Sequence, residues 1–341
     1  MKRNRWYGLR VLRRDRASNF LLIALVAYAV SVIVTRVFLE LTGYPQLGNS
    51  VLHIAHALWG GLLMIVAIIL PLIVAGQSAL HTSALLGGVG VGLFIDEIGK
   101  FITQANDYFF APSLSLIYGF FLLLVLLYAL LRRTKTLNSR QAVSYALEGL
   151  EELTAGDLDA EEAARLIRML EATPTSDDEL LADLAQELAR LLAHAAPRLP
   201  RARSSLWRRL TDAFVRLGRR LGHKASRGIV VAILIIWLAV VAGYIVILLQ
   251  GPASVIDEVI QWRWPLISIQ AVVGILMLSA LVAIALRRES LGLNLGVGGF
   301  LFSLVALQVH YFYISQFAAI TSTLIQFVFL MFLVGYRRWH L

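Results

Sequence analysis

Cysteine is absent from all 341 residues. That excludes disulfides, thiolate metal centres, Cys-ligated iron–sulfur clusters and cysteine nucleophiles, and leaves the redox compartment open. Charge is scarce as well: Asp, Glu, Lys and Arg make up 16% of the chain, against about 25% in soluble domains. Nor is there a serine-nucleophile elbow, a phosphate-binding P-loop or an HExxH zinc motif, so three large enzyme classes lack their usual signature.

What replaces charge is apolar sequence. Hydrophobic residues reach 58% and the mean hydropathy is +0.73. Runs long enough to cross a hydrocarbon core of ~30 Å lie at about 20–39, 51–75, 79–98, 113–131, 229–249, 265–286, 291–309 and 317–335. The pattern predicts an all-α polytopic membrane protein with about eight transmembrane helices, four before and four after a polar insert. The predicted domains are an N-terminal membrane half (1–131), a cytoplasmic helical insert (132–228) and a C-terminal membrane half (229–341).

The net charge of +9 follows the membrane and argues against nucleic acid as a partner. Lys2, Arg3, Arg5, Arg10, Arg13, Arg14 and Arg16 precede the first run, opposed by Asp15 alone. No small-residue cleavage site follows that run, so it reads as an uncleaved signal anchor. Threading the spans alternately puts both termini in the cytoplasm of a multi-pass cell-membrane protein. Only Arg36, Lys100 and Arg263 then fall near the outer face.

The insert divides by charge. Thirteen acids lie between Glu148 and Glu187 against Arg165 and Arg168, whereas 198–227 is basic. Ser176 with Glu179 forms a capping box for a helix to about Ala193, and Ala160 to Leu170 reads as a second helix, giving a hairpin. Leu206, Leu210, Phe214, Leu217 and Leu221 mark one face of a basic amphipathic helix running into the fifth span. Such a helix predicts anionic lipid of the inner leaflet as a partner, alongside the bilayer itself. The two membrane halves also suggest a parallel repeat, with Gln270 standing where His56 does and Gly274 where Gly60 does.

The chemistry-bearing residues concentrate at one depth. His53 and His56 are three apart on the second span, spaced to share a divalent metal or to supply a base. Asp96 and Lys100, four apart on the third span, are placed to pair, and Glu97 points toward the histidines. Thr103 and Asp107 would continue the Asp96 face, Asn106 lies beside them, and Arg36 with Glu40 reaches the same level. Ionisable groups at a membrane edge are costly and need partners. Acids, imidazoles and cations together suit proton transfer, metal binding or anion recognition. The candidate catalytic residues are His56, Glu97, Asp96 and Asp107. The candidate substrate contacts are Lys100, Arg36 and Asn106, and the candidate metal ligands are His53 and His56. His310 lies in the turn between the last two spans, and His81 at the inner end.

The stretch from His53 to Met64, followed by Gly92-Leu93-Phe94-Ile95-Asp96-Glu97-Ile98-Gly99-Lys100-Phe101 and Asn106-Asp107-Tyr108, resembles VanZ-like proteins. In that bacterial family a His-bearing helix precedes one ending in Asp-Glu, with a later Asp and Asn. The resemblance spans the first four runs and puts His56, Asp96, Glu97, Asn106 and Asp107 in those places. It implies a bacterial inner-membrane protein of the cell envelope. The function expected is binding or processing of a lipid-linked anionic envelope substrate. The alternatives are proton-coupled transport and a non-catalytic scaffold or sensor that signals through the insert.

Overall fold

The computed structural model describes residues 12, 14–43, 55–104, 107–108, 110–132, 138–172, 178–200, 206–250 and 263–340, without the side chains of 206–215, 217, 219 and 338. The helices, in chain order, are α1 (Ala17–Thr42), α2 (His56–Ile73), α3 (Gln77–Asp96), α4 (Ile98–Ile102), α5 (Ala111–Arg132), α6 (Ser139–Ala155) and α7 (Ala160–Ala172). They continue as α8 (Glu179–Ala195), α9 (Leu206–Gln250), α10 (Arg263–Ala285), α11 (Glu289–Phe302), α12 (Gln308–Ile314) and α13 (Gln316–His340). Among the described residues no strand is present, and eight helical segments are long and apolar enough to cross a membrane. The fold is all-α and polytopic, as the hydrophobic runs predicted.

The chain divides into two compact units, 1–97 with 123–203 and 98–122 with 204–341. In the first, α3 packs along both α1 and α2. Lipid supplies no hydrophobic drive between spans, so close backbone approach has to hold them together. A Cβ on Gly60 would stand 2.6 Å from the Gly90 carbonyl oxygen, and one on Gly90 2.7 Å from that of Gly60. On the opposite side of α3, a Cβ on Gly88 would come 2.3 Å from the Ala24 carbonyl oxygen of α1.

Neither α2 nor α3 brings its own cap: Ala55 and Gly76 precede them, without side-chain cap bonds. Acids distant in sequence do this work. The Glu97 carboxylate accepts the Ala57 N–H at 3.0 Å, and Asp157 of the insert accepts the Ser78 N–H at 3.2 Å and its hydroxyl at 3.0 Å. Both satisfy first-turn amides that have no intrahelical partner. Gly76 has φ +98°, and a Cβ there would meet the Asp157 carboxylate at 2.9 Å, so the turn admits glycine alone.

Among its described residues the insert holds three helices before α9, where a hairpin was expected. The additional one, α6, is capped by the Asn138 side chain, which accepts the Gln141 N–H at 2.9 Å. Its buried face is made of small residues, Ala142, Val143 and Ala146, packed with Leu158, Leu166, Leu188 and Leu192. That face carries little of the leucine periodicity that marked α8. Helix α8 starts at Glu179 behind Asp178, and the expected capping residue Ser176 lies outside the described residues.

In the second unit α9, α10, α11 and α13 close a ring: α9 packs on α10 and α13, and α11 packs on the same two. Trp237, Met277, Phe300 and Leu333 fill its core. The central helix of the first unit is thus the third span, whereas the described spans α9, α10, α11 and α13 of the second unit are arranged in a ring. A Cβ on Gly274 would make only an ordinary 3.4 Å contact, unlike Gly60. The packing therefore does not repeat between the halves. Within α9, Gly222 at φ 68° separates the basic amphipathic segment from the apolar one. Gly218 of the basic segment lies against the Trp339 ring of α13. Of the predicted apolar stripe on that segment, only the Leu221 side chain is described.

Candidate functional site

At the end of the first unit away from the insert, three helices each contribute to one polar cluster. Arg36 comes from the last turns of α1, His56 opens α2, and Asp96 and Glu97 close α3. Arg36 Nε donates to Asp96 Oδ1 at 2.6 Å, and Arg36 Nη2 to the Asp96 carbonyl at 3.2 Å. The second carboxylate oxygen, Oδ2, stands 3.2 Å from His56 Nε2. On the other side of the ring, Nδ1 is 3.9 Å from Glu97 Oε2, an ion-pair distance rather than a hydrogen bond.

Burial divides the cluster. Asp96, Glu97 and Arg36 side chains are 0%, 1% and 3% exposed, whereas His56 is 22% exposed. Two carboxylates thus face one guanidinium and one imidazole. Tyr28, buried on α1 two turns before Arg36, sits within electrostatic range of both Arg36 and Asp96. Sequence reasoning passed over it because a tyrosine inside an apolar run looks like packing.

Arg36 and His56 engage the Asp96 carboxylate, where the sequence offered Lys100 as its partner. Helix α3 ends at Asp96, and Lys100 belongs to α4, where its ammonium lies 5.4 Å from the centre of the Tyr108 ring. Nor does the helix persist to Asp107: α4 ends at Ile102, and the Asp107 N–H is accepted by Thr103 Oγ1 at 2.8 Å. His53 and Asn106 lie outside the described residues. Among the described residues no group of three or more His, Asp or Glu has metal-holding geometry. His310 falls within α12 and not in a turn, with Nδ1 3.0 Å from the Ala306 carbonyl. His81 Nδ1 is 2.9 Å from the Gln77 carbonyl near the insert.

A second buried cluster, at the insert end of the first unit, was not anticipated. Asp15 and Arg16 precede α1, Gln77 opens α3, Glu152 lies on α6, and Glu162 and Arg165 on α7. Arg16 is paired with Glu162 and donates to Gln77 Oε1 at 3.1 Å, while Gln77 donates to Glu152 and Arg165 pairs with Asp15. Glu152 and Glu162 are 4% and 5% exposed. Burial pushes the Glu152 carboxyl up to about 7, and the neighbouring Glu162 adds to the rise. Burial raises Glu162 too, against the lowering effect of Arg16. The signals present in the sequence were a lone acid in a basic terminus and a glutamine opening a span.

The second unit carries its own anchor at Glu289, the first residue of α11. Tyr336 donates to Glu289 Oε2 at 3.0 Å, His223 lies 3.2 Å from the same oxygen, and Arg227 lies 3.2 Å from Oε1.

No protein-family model, curated protein or solved structure matches the chain.

Proposed function

We propose that the protein carries out acid–base chemistry through His56 on a lipid-linked anionic substrate of the cell envelope. The observation that carries this reading is that His56 is the one accessible member of a buried Arg–Asp–His–Glu quartet. Asp96 and Glu97 orient the ring, and Arg36 is a positioning residue that balances Asp96. Arg36 is thereby less suited to substrate than the sequence alone suggested. Lys100, Asn106 and Asp107 keep the head-group role that their place in the sequence suggests. The VanZ-like resemblance points to the same class of envelope chemistry, and the basic segment of α9 is proposed to rest on anionic lipid of the cytoplasmic leaflet.

The test uses the full chain in nanodiscs, titrated with a short polyprenyl phosphate and, separately, with a neutral lipid. A thermal shift specific to the phosphate, lost in His56→Ala and weakened in Glu97→Gln, supports the reading. The same shift in all three proteins overturns it. Sidedness is testable because the chain has no cysteine. A single cysteine at the exposed Glu40 should react with an impermeant maleimide from outside the cell, and one at Asp183 only after lysis.

Coupled proton transport is the second reading, favoured by the complete burial of Asp96 between spans. Proton uptake into proteoliposomes that depends on Asp96 but not on any lipid substrate would select it.

A further inference from the structure

A polar group in the second unit is independent of the quartet. Between α11 and α12 the helix makes one π turn, Ser303–Leu307, in which the Gln308 N–H bonds to the Ser303 carbonyl. The slip frees the Leu304 carbonyl from its usual α-helical donor, and Tyr118 of α5 donates to it at 2.8 Å. Such single π turns recur at functional sites.

Beside this turn, Gln308 Nε2 donates to Ser322 Oγ of α13 at 2.8 Å, and Gln326 Nε2 approaches the same oxygen at 3.2 Å. Each amide thus directs an N–H to the same serine, and both Oε1 atoms lack a partner among the described residues. The same is true of Ser303 Oγ, one π turn before Gln308, and of Thr323 Oγ1, next to Ser322. Gln308, Gln326 and Ser303 are fully buried and Thr323 is 8% exposed. Gln308 and Ser322 each lie six residues from the α12–α13 turn, about 9 Å deep at 1.5 Å per residue. Gln326 lies about 15 Å deep by the same rise, near the middle of a ~30 Å core.

Two amide oxygens and two hydroxyls, all buried, would each cost about 1–3 kcal/mol if nothing met them. What satisfies acceptor oxygens is a donor or a cation. We propose that Gln308 Oε1, Gln326 Oε1, Ser303 Oγ and Thr323 Oγ1 bind a monovalent alkali cation inside the membrane part of the second unit. All four are hard oxygen ligands, which suits an alkali or alkaline-earth ion. All four are neutral, which selects single charge: a divalent ion at this depth would need carboxylates to offset its desolvation.

The experiment is thermal unfolding of the full chain in detergent, titrating sodium or potassium chloride against choline chloride at constant ionic strength. A saturable rise specific to an alkali ion is expected. Its midpoint should move up about tenfold or more in Thr323→Val and Ser303→Ala, and the rise should vanish in Gln326→Leu. If Gln326→Leu does not fold, the two near-isosteric variants decide by themselves. Equal stability in all three salts overturns the proposal, leaving water as the occupant. An ion-specific rise with the same midpoint in every variant overturns it too, since the ion then binds elsewhere.

Discussion

The Glu97 carboxylate accepts the Ala57 N–H at 3.0 Å while standing 3.9 Å from the His56 ring. One side chain thus caps α2 and helps to hold the accessible imidazole. The two roles separate by substitution. Glu97→Ala removes cap and charge, and should cost about 1 kcal/mol, in the range of a lost N-cap with its helix-dipole contribution. Glu97→Gln retains an oxygen acceptor for Ala57 and should unfold within a few degrees of the parent, while losing the charge beside His56. Thermal unfolding in detergent, read with the polyprenyl phosphate titration, checks both. Equal instability of the two variants would mean the charge, not the cap, secures the helix.

Arg36 and Asp96 are sixty positions apart and nearly inaccessible, with Nε to Oδ1 at 2.6 Å. Deleting one member leaves a buried, uncompensated charge, and Asp96→Leu or Arg36→Leu should each cost about 3–5 kcal/mol. The double variant should be far more stable than the sum predicts, because no lone charge remains. A double-mutant cycle measures this. Additive losses would show that the pair is not one unit.

The spans were legible because membrane-length apolar runs have few alternatives. The meeting of His56 with Asp96 and Glu97 was legible as well, since antiparallel spans joined by a short turn bring matched ends to one depth. Their internal pairing was not. Helical spacing predicted Asp96 with Lys100 on one continuous helix, whereas α3 ends at Asp96, and spacing along α3 carries no sign of Arg36 on α1. The insert-side cluster was hidden for a different reason: acids in a polar segment look solvated until the surface that buries Glu152 and Glu162 is known. The orphan amides of the second unit had no sequence signal apart from glutamine within an apolar run.

Close approach of α2 and α3 depends on Gly60 and Gly90, where a methyl would meet carbonyl oxygen at 2.6 Å and 2.7 Å. Gly90→Ala should therefore destabilise the first unit by about 1–3 kcal/mol, as overpacking does. Gly61, next in sequence, has open space where its Cβ would go. Gly61→Ala should be neutral or mildly stabilising, given the helix propensity of alanine. Thermal unfolding of the two variants side by side tests the contact geometry. A neutral Gly90→Ala would mean that α2 and α3 are not in close contact.

Stability of the insert should depend on pH through Glu152. The carboxyl faces Gln77 of α3, Arg16 before α1, and Glu162 and Arg165 of α7, with Asp15 and Glu148 nearby. Its native value of about 7 lies above the ordinary 4.5. The folded state therefore binds more protons than the unfolded one between those values. Stability is complete below about 4.5 and falls as the pH rises toward 7, the reverse of an ion-paired carboxylate. Amide hydrogen exchange of α6 should accordingly be slower near pH 5 than near pH 8, once the intrinsic pH dependence of exchange is divided out. In Glu152→Gln that difference should shrink without disappearing, because Glu162 is shifted in the same direction. An unchanged pH dependence in the variant would show that Glu152 is already ionised in the folded protein. Arg16 would then have to compensate both carboxylates.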